Sequence, residues 1–157
     1  MKNMNKWILV AAVLCLFMNI VFPVSATEKP DLIIESFSAP ATATQNEMIS
    51  QKIRITVKNI GGSEAREFVV AIVLKGTVLR SDFPTAYHVL GSGQVAGLKP
   101  GQSATVTLQS FSVGTIVPPN KYEICAIADE GKKVNESNEN NNWSKCQAIS
   151  ITLEKKG

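Results

Sequence analysis

The sequence predicts an all-β protein, an immunoglobulin-like antiparallel β-sandwich of about seven strands. Three observations carry this prediction. Apolar and polar residues alternate with a period of two in several short segments, and glycine- and proline-containing turns separate these segments. No segment after the N-terminal region has the apolar repeat of an amphipathic helix. A small β-barrel would show a similar pattern and is the alternative architecture.

The first 26 residues are predicted to be a secretory signal peptide. Lys2 and Lys6 precede an apolar run from Trp7 to Val24, and the small residues Ser25 and Ala26 occupy the cleavage positions. The alternative is an uncleaved membrane anchor, because the run is nearly long enough to span a bilayer. After cleavage the chain is expected to be secreted, periplasmic or at the cell surface, without membrane contact.

The charge of the mature chain excludes one class of partner. The leader contains two of the 16 basic residues and none of the 13 acidic ones, so cleavage leaves 14 basic residues and a net charge of +1. No basic stripe of the kind that nucleic-acid binding requires is present. The sequence therefore predicts no nucleic-acid partner.

Three strands are predicted in the first half of the mature chain: Asp31–Ser38, Lys52–Asn59 and Arg66–Gly76. The second alternates strictly between apolar and polar residues, which is typical of a half-buried strand. The third is apolar on both faces, which indicates a central strand. Residues 41–50 are predicted to be a polar connection without a strand.

The second half of the chain begins with an irregular region, residues 77–97. Leu98–Leu108 is predicted to open with a Pro-Gly turn and to continue as a strand, and Ser110–Val117 is the candidate edge strand. Lys121–Asp129 and Trp143–Leu153 are predicted to form the final hairpin.

Cys125 and Cys146 are the two cysteines that follow the leader, and an even pair in an exported chain predicts a disulfide. Directly opposed positions of the final hairpin bring two Cα atoms within disulfide distance. That register also pairs two further positions, Ile127 with Ser144 and Asp129 with Asn142. Ile149 and Ile151 lie on the face opposite Cys146, so the bridge is predicted on the outer face of its sheet.

Four segments together resemble one family: PDLIIESFSAP, ITVKNIGGSEA, LKPGQSATVTL and YEICAIADEGKKVNESNENNN. In this order and spacing they are similar to CARDB, the cell-adhesion-related domain found in bacteria, over residues 29–153. The last segment carries the most specific end-loop motif: Asp129, Val134, Glu136, Glu139, Asn141 and Asn142. The resemblance implies a seven-stranded immunoglobulin-like sandwich in exported proteins, used for adhesion or assembly and not for catalysis.

The asparagine-rich segment, residues 128–142, has four interpretations. In the first, it is a structural loop whose polar groups bond one another and in which Val134 plugs the sandwich, because Asn and Asp side chains bond their own backbone. In the second, it is a calcium site, since hard oxygen ligands are present at Asp129, Glu136, Asn138 and Glu139, although the EF-hand pattern is absent. In the third, it carries glycans, because Asn135 and Asn142 begin N-x-S sequons. In the fourth, it contacts a partner directly, as sandwich end loops do.

No enzymatic activity is predicted. His88 is the only histidine, and Asp82 and Ser92 lie near it in the sequence. The serine does not lie in a G-x-S-x-G nucleophile motif. No cofactor is predicted beyond the calcium interpretation. The predicted function is a non-catalytic module for adhesion or protein binding at the cell envelope, with a protein or another cell-surface macromolecule as partner.

Two alternative functions stay open. A structural accessory subunit would present a sheet edge to a larger surface assembly. A carbohydrate-binding module would need exposed aromatic rings, for which the sequence offers Phe83, Tyr87, Tyr122 and Trp143.

Overall fold

The computed structural model describes residues 28–76 and 87–154, and these residues form eight β-strands in two sheets. The strands are β1 Leu32–Ser38, β2 Thr42–Thr44, β3 Arg54–Asn59, β4 Phe68–Lys75, β5 His88–Val95, β6 Ser103–Thr105, β7 Asn120–Ala128 and β8 Gln147–Thr152. A 3-10 turn covers Ser50–Lys52. The predicted signal peptide, Asp82 and Phe83 lie outside the described residues, and the signal peptide stays a prediction.

The two sheets pack face to face, so the predicted β-sandwich is confirmed. One sheet has the order β1-β3-β6 and the other the order β2-β8-β7-β4-β5. Alternate residues of β4, among them Phe68 and Leu74, are buried in the core between the sheets. Ala71 and Val73 on the other face of β4 are buried in a second apolar cluster, and β4 lies between β7 and β5 as the predicted central strand. None of the described residues form a helix long and apolar enough to cross a membrane.

The N-terminal part of the chain changes sheets between β1 and β2. β1 pairs antiparallel with β3 and contains a bulge at Glu35. β2 then pairs parallel with β8, with Thr42 opposite Ser150 and Thr44 opposite Thr152. The prediction that residues 41–50 form only a polar connection was therefore wrong, and β2–β8 is a parallel pair in a sandwich whose other strand pairs are antiparallel. Three residues are too few to show a period-two pattern, so β2 has no recognisable sequence signal.

The predicted strand Leu98–Leu108 is shorter than expected, because only Ser103–Thr105 pair as β6. Ser110–Val117 is not a strand, and its Ser112 forms an isolated bridge with Met48. The region that was predicted to be irregular contains β5 instead.

The glycines of β5 explain why this strand was missed. A Cβ atom at Gly91 would lie 2.1 Å from the Phe111 ring, and one at Gly93 would lie 2.5 Å from the carbonyl oxygen of Thr107. Residues 106–111 therefore pass so close to β5 that side chains at these two positions have no space. The glycines, which ordinarily weaken a strand prediction, are here required by packing.

The final hairpin keeps the predicted register from Asn120↔Ile151 to Ile124↔Gln147. Beyond the cysteines the register shifts by one residue, and Ile127 pairs with Trp143 instead of Ser144. At this point the Ser144 hydroxyl oxygen, in place of a backbone carbonyl, accepts the Ala126 N–H at 2.9 Å. The backbone N–H of Ala128 donates to the Asn142 carbonyl at 2.9 Å, so the predicted pairing of Asp129 with Asn142 was wrong.

Cys125 and Cys146 are joined by a disulfide, with their Cα atoms 4.5 Å apart. The bridge belongs to a small apolar cluster with Ala71, Val73 and Ile127, which is separate from the main core. The main core lies between the sheets, so this cluster covers the outer face of the five-stranded sheet.

Candidate functional site

Asp129 organises the start of the asparagine-rich segment. Its backbone is in the left-handed region, with φ at 45°, and its carbonyl oxygen accepts the Lys132 N–H at 2.9 Å. Its buried carboxylate accepts the N–H groups of Lys133 at 3.1 Å and Val134 at 2.7 Å. The side chain of Val134 packs into the main core. This geometry supports the structural interpretation of the segment, with Val134 as the plug.

Glu136 connects the segment to the first strand. Its carboxylate is buried, with Oε2 accepting the Leu32 N–H at 2.5 Å and Oε1 accepting the Asn142 side-chain amide at 2.6 Å. Burial raises the pKa of Glu136 to about 7, against the two hydrogen bonds, which lower this pKa, and with the nearby charges of Glu139 and Asp129, which raise it.

Further hydrogen bonds fasten the residues just before β1. Ser137 donates its N–H to the Pro30 carbonyl at 2.9 Å and its hydroxyl to Asp31 at 3.1 Å. The Asn141 amide donates to the other Asp31 oxygen at 2.8 Å. Lys29 donates its ammonium to the Asn135 side-chain oxygen at 2.9 Å. The hydrogen bonds from residues 135–142 to residues 29–32, including the Glu136–Leu32 bond, are called the N-terminal clamp below.

A buried asparagine in β3 supports the same end and was not identified from the sequence. The side-chain oxygen of Asn59 accepts the N–H groups of Asp31 and Gly61, and its amide donates to the carbonyls of Ser63 and Leu98. All four hydrogen-bonding positions of the amide are used. Its sequence signal was the Asn followed by Ile-Gly-Gly, which marks a turn but does not reveal the bonds across the sandwich.

The calcium interpretation has little support in this geometry. The carboxylates of Asp129 and Glu136 accept the hydrogen bonds described above, Oε1 of Glu139 accepts the Glu136 N–H at 3.1 Å, and the Asn138 oxygen accepts the Asn140 N–H at 3.1 Å. Within residues 28–76 and 87–154, no group of three or more His, Cys, Asp or Glu side chains is arranged to hold a metal ion. The four candidate ligands thus bind backbone groups in place of a common centre.

The two sequons differ in access. Asn135 is exposed, whereas Asn142 is buried and donates its amide to Glu136. In the folded domain only the first sequon is open to solvent.

The aromatic residues that were considered for carbohydrate binding have other contacts. Tyr122 is buried, so its prediction as an exposed ring was wrong, and its hydroxyl donates to the Pro118 carbonyl at 2.7 Å. A tyrosine that bonds back to the chain a few residues upstream is the tyrosine corner of immunoglobulin-like sandwiches. Tyr87 and Trp143 pack edge to face with ring centroids 5.4 Å apart, and Lys75 lies 3.8 Å from the Trp143 centroid.

His88 and Ser92 both lie on β5, four residues apart. This spacing corresponds to roughly 13 Å along a strand, too far for a Ser–His hydrogen bond. Burial lowers the pKa of His88.

The outer edge of β1 is covered by side chains. Glu136 takes the Leu32 N–H at one end, and at the other end Gln147 donates to the Phe37 carbonyl at 2.9 Å and accepts the Ala39 N–H at 3.0 Å. The bulge at Glu35 lies between them. Such bulges and side-chain bonds protect a sheet edge from pairing with another chain.

An open groove runs between these two ends of β1. It has a volume of about 400 Å³ and is lined by residues 34–37 and 144–147. On the other sheet, the edge strand β5 is bonded by the Gln109 N–H, which donates to the Ser92 carbonyl at 2.9 Å.

Comparison with solved structures places this architecture among CARDB domains. The crystal structure of the CARDB domain of the PF1109 protein from Pyrococcus furiosus, in complex with di-metal ions, is 24% identical at a TM-score of 0.54, covering 80% of this chain and 96% of that chain. A solution NMR structure of the same domain is 25% identical at a TM-score of 0.53, covering 80% of this chain and 98% of that chain.

A further neighbour comes from Methanosarcina acetivorans. A solution NMR structure of a domain from a protein provisionally named a cell surface protein is 22% identical at a TM-score of 0.54, covering 79% of this chain and 93% of that chain. No curated protein sequence matches the chain significantly.

The family model of CARDB matches residues 29–145, which include the N-terminal clamp and strands β1 to β7 but not β8. The solved CARDB structures have the same two-sheet fold. The chain therefore belongs to the CARDB family.

Proposed function

We propose that the domain is a non-catalytic binding module of the cell envelope and that it recognises a protein or another surface macromolecule with its asparagine-rich end. The observation that carries this proposal is the alternation of buried and exposed side chains in one loop whose backbone is held by hydrogen bonds. Asp129, Val134, Glu136 and Asn142 are buried. The residues between them are exposed: Gly131, Lys132, Lys133, Asn135 and Ser137–Asn140.

A loop of this kind is suited to recognition because its conformation is set before a partner arrives. The buried side chains fix the backbone, so binding does not have to order it, and affinity is not spent on that ordering. The exposed side chains are mainly amides and ammonium groups, which offer hydrogen-bond donors and acceptors to a polar surface.

Two further considerations support a binding role. The carboxylates that a catalytic site at this end would need are engaged with backbone groups and with the Asn142 amide. The structural neighbour from Methanosarcina acetivorans is provisionally named a cell surface protein. We infer that the mature chain acts on the outer side of the cytoplasmic membrane, as a leader peptide would direct.

The test compares two sets of exposed residues. The recognition variant carries Lys132→Ala, Lys133→Ala and Asn138→Ala, and the matched control carries Lys121→Ala and Glu123→Ala on β7, away from the loop. Purified domains are immobilised and exposed to solubilised cell-envelope fractions of the source organism, and bound components are quantified.

We expect a saturable partner that the wild type and the control retain equally and the recognition variant loses. Equal binding by all three domains would contradict recognition by the loop. Thermal melting of the variants checks that each remains folded.

A further inference from the structure

The two ends of the described domain lie at opposite ends of the sandwich. Glu28 leads into the N-terminal clamp, at the end where Asn142 closes the hairpin. Glu154 follows β8 at the other end, where its carboxylate accepts the Asn46 side-chain amide at 3.1 Å. Between these ends β7 runs for nine residues, which corresponds to about 30 Å. A force that separates Glu28 from Glu154 therefore acts along the strands.

β2 and β8 are arranged so that this force shears them. Both strands run in the same direction, with three consecutive Cα pairs. The N–H of Ser150 donates to the Ala41 carbonyl at 2.9 Å, and the N–H of Gln45 donates to the Thr152 carbonyl at 2.9 Å. Tension pulls β2 toward the clamp and β8 toward Glu154, in opposite directions along their axes. All hydrogen bonds of the pair then have to break together, whereas a peeling force breaks them one after another.

The segments that directly precede the two loaded strands are also fastened to the body of the domain. The chain before β1 is held by the N-terminal clamp, and β1 is held by Gln147, which bonds both Phe37 and Ala39. Cys146 directly precedes β8, and the disulfide links it to β7. The central strand β7 is in turn paired with β4. Tension on either end is thereby transmitted to the centre of a five-stranded sheet.

We propose that this domain has a mechanical function, resisting tension applied between its N-terminal and C-terminal ends through shear of the β2–β8 pair. This function is separate from recognition by the loop, because it depends on the direction of β2 and β8 and on the contacts that hold the segments before them. A domain that no longer binds a partner is expected to keep its resistance to tension.

Single-molecule force spectroscopy on one domain that carries Lys99→Cys in both arrangements tests the proposal by changing only the direction of pulling. In one arrangement the handles are attached before Glu28 and after Glu154. In the other they are attached before Glu28 and at Lys99→Cys, an exposed turn at the same end of the sandwich. The second arrangement peels β1 from β3 in place of shearing β2 and β8.

We expect the end-to-end arrangement to unfold at a force about twofold or more above the peeling arrangement at the same loading rate, because its hydrogen bonds fail in parallel. Equal forces, or a weaker end-to-end arrangement, would overturn the mechanical proposal.

A pair of proline variants tests which bonds resist the force. In the parallel ladder Ala43 directs its N–H toward β8, as Gln45 does, whereas the N–H of Thr42 points away. Ala43→Pro removes a donor from the sheared pair, and Thr42→Pro introduces the same ring without this loss.

The end-to-end unfolding force should fall clearly in Ala43→Pro and remain near the wild-type value in Thr42→Pro. Equal forces for the two variants would contradict a role of the β2–β8 pair. If Ala43→Pro does not fold, the comparison of pulling directions decides alone.

Discussion

Replacement of Asp129 by alanine should destabilise the domain by about 3 kcal/mol. The mutation removes the acceptor for the N–H groups of Lys133 and Val134, of which the Val134 N–H is buried. A buried donor without a partner costs about 1–3 kcal/mol, and the partly exposed Lys133 N–H costs less because water replaces the carboxylate. The left-handed backbone, with φ at 45°, adds about 1 kcal/mol for a residue that carries a Cβ atom and no local bond.

The assay is thermal and urea unfolding of wild type, Asp129→Ala and the control Asp129→Asn. For a domain of this size about 3 kcal/mol corresponds to a fall in Tm of roughly 10 °C. Asparagine keeps one acceptor oxygen and tolerates the left-handed region, so Asp129→Asn should lower the free energy of unfolding by only about 1 kcal/mol. Alanine that unfolds within about 0.5 kcal/mol of the wild type, the range of an ordinary surface substitution, would refute the reasoning.

Three further predictions concern the disulfide, calcium binding and the dependence of stability on pH. Cys125→Ser and Cys146→Ser should each lower stability by about 3 kcal/mol, because the bridge closes a loop with a sequence separation of 21; equal melting of oxidised and reduced wild type would contradict this. Addition of a chelator should leave Tm unchanged, since the candidate ligands are bonded within the protein, and a drop of several degrees would reinstate a metal site. Glu136 has its pKa raised to about 7, so the folded chain retains a proton that the unfolded chain releases at lower pH. Stability should therefore fall by roughly 1–3 kcal/mol as pH rises from 5 to 8. Glu136→Gln, which cannot ionise, should remove this dependence, and an unchanged slope would be inconsistent with it.

The sequence could predict those features that repeat along the chain. Alternation in Lys52–Asn59 and the apolar stretch of Arg66–Gly76 follow from which face of a strand is buried, so β3 and β4 were identified. The hairpin register followed from the two cysteines, because directly opposed positions of adjacent strands bring their Cα atoms within disulfide distance.

The remaining features depend on partners far away in the sequence. Glu136 bonds Leu32 across 104 positions, and Asn59 bonds Leu98 across 39. A single polar side chain carries no pattern that names such a partner. Likewise the one-residue shift after Cys125 results from the hydroxyl of Ser144, which takes the place of a backbone acceptor.

The asparagine-rich end was predicted in part. The Asn-rich composition indicated a compact loop, and a single valine within it suggested a plug, which agrees with the position of Val134 in the core. The fastening of residues 29–32 by this loop could not be read from composition, because it is formed by exposed and buried polar residues alike.

Amide hydrogen exchange at Leu32 and Val134, measured by NMR without added metal ions, tests the central claim most directly, that the buried carboxylates of Glu136 and Asp129 hold the asparagine-rich loop and the first strand together. We predict that both amides exchange slowly in the wild type, that the Leu32 amide loses its protection in Glu136→Ala, and that the Val134 amide loses its protection in Asp129→Ala. Exchange at both amides in the wild type as fast as in an unfolded peptide would contradict the account.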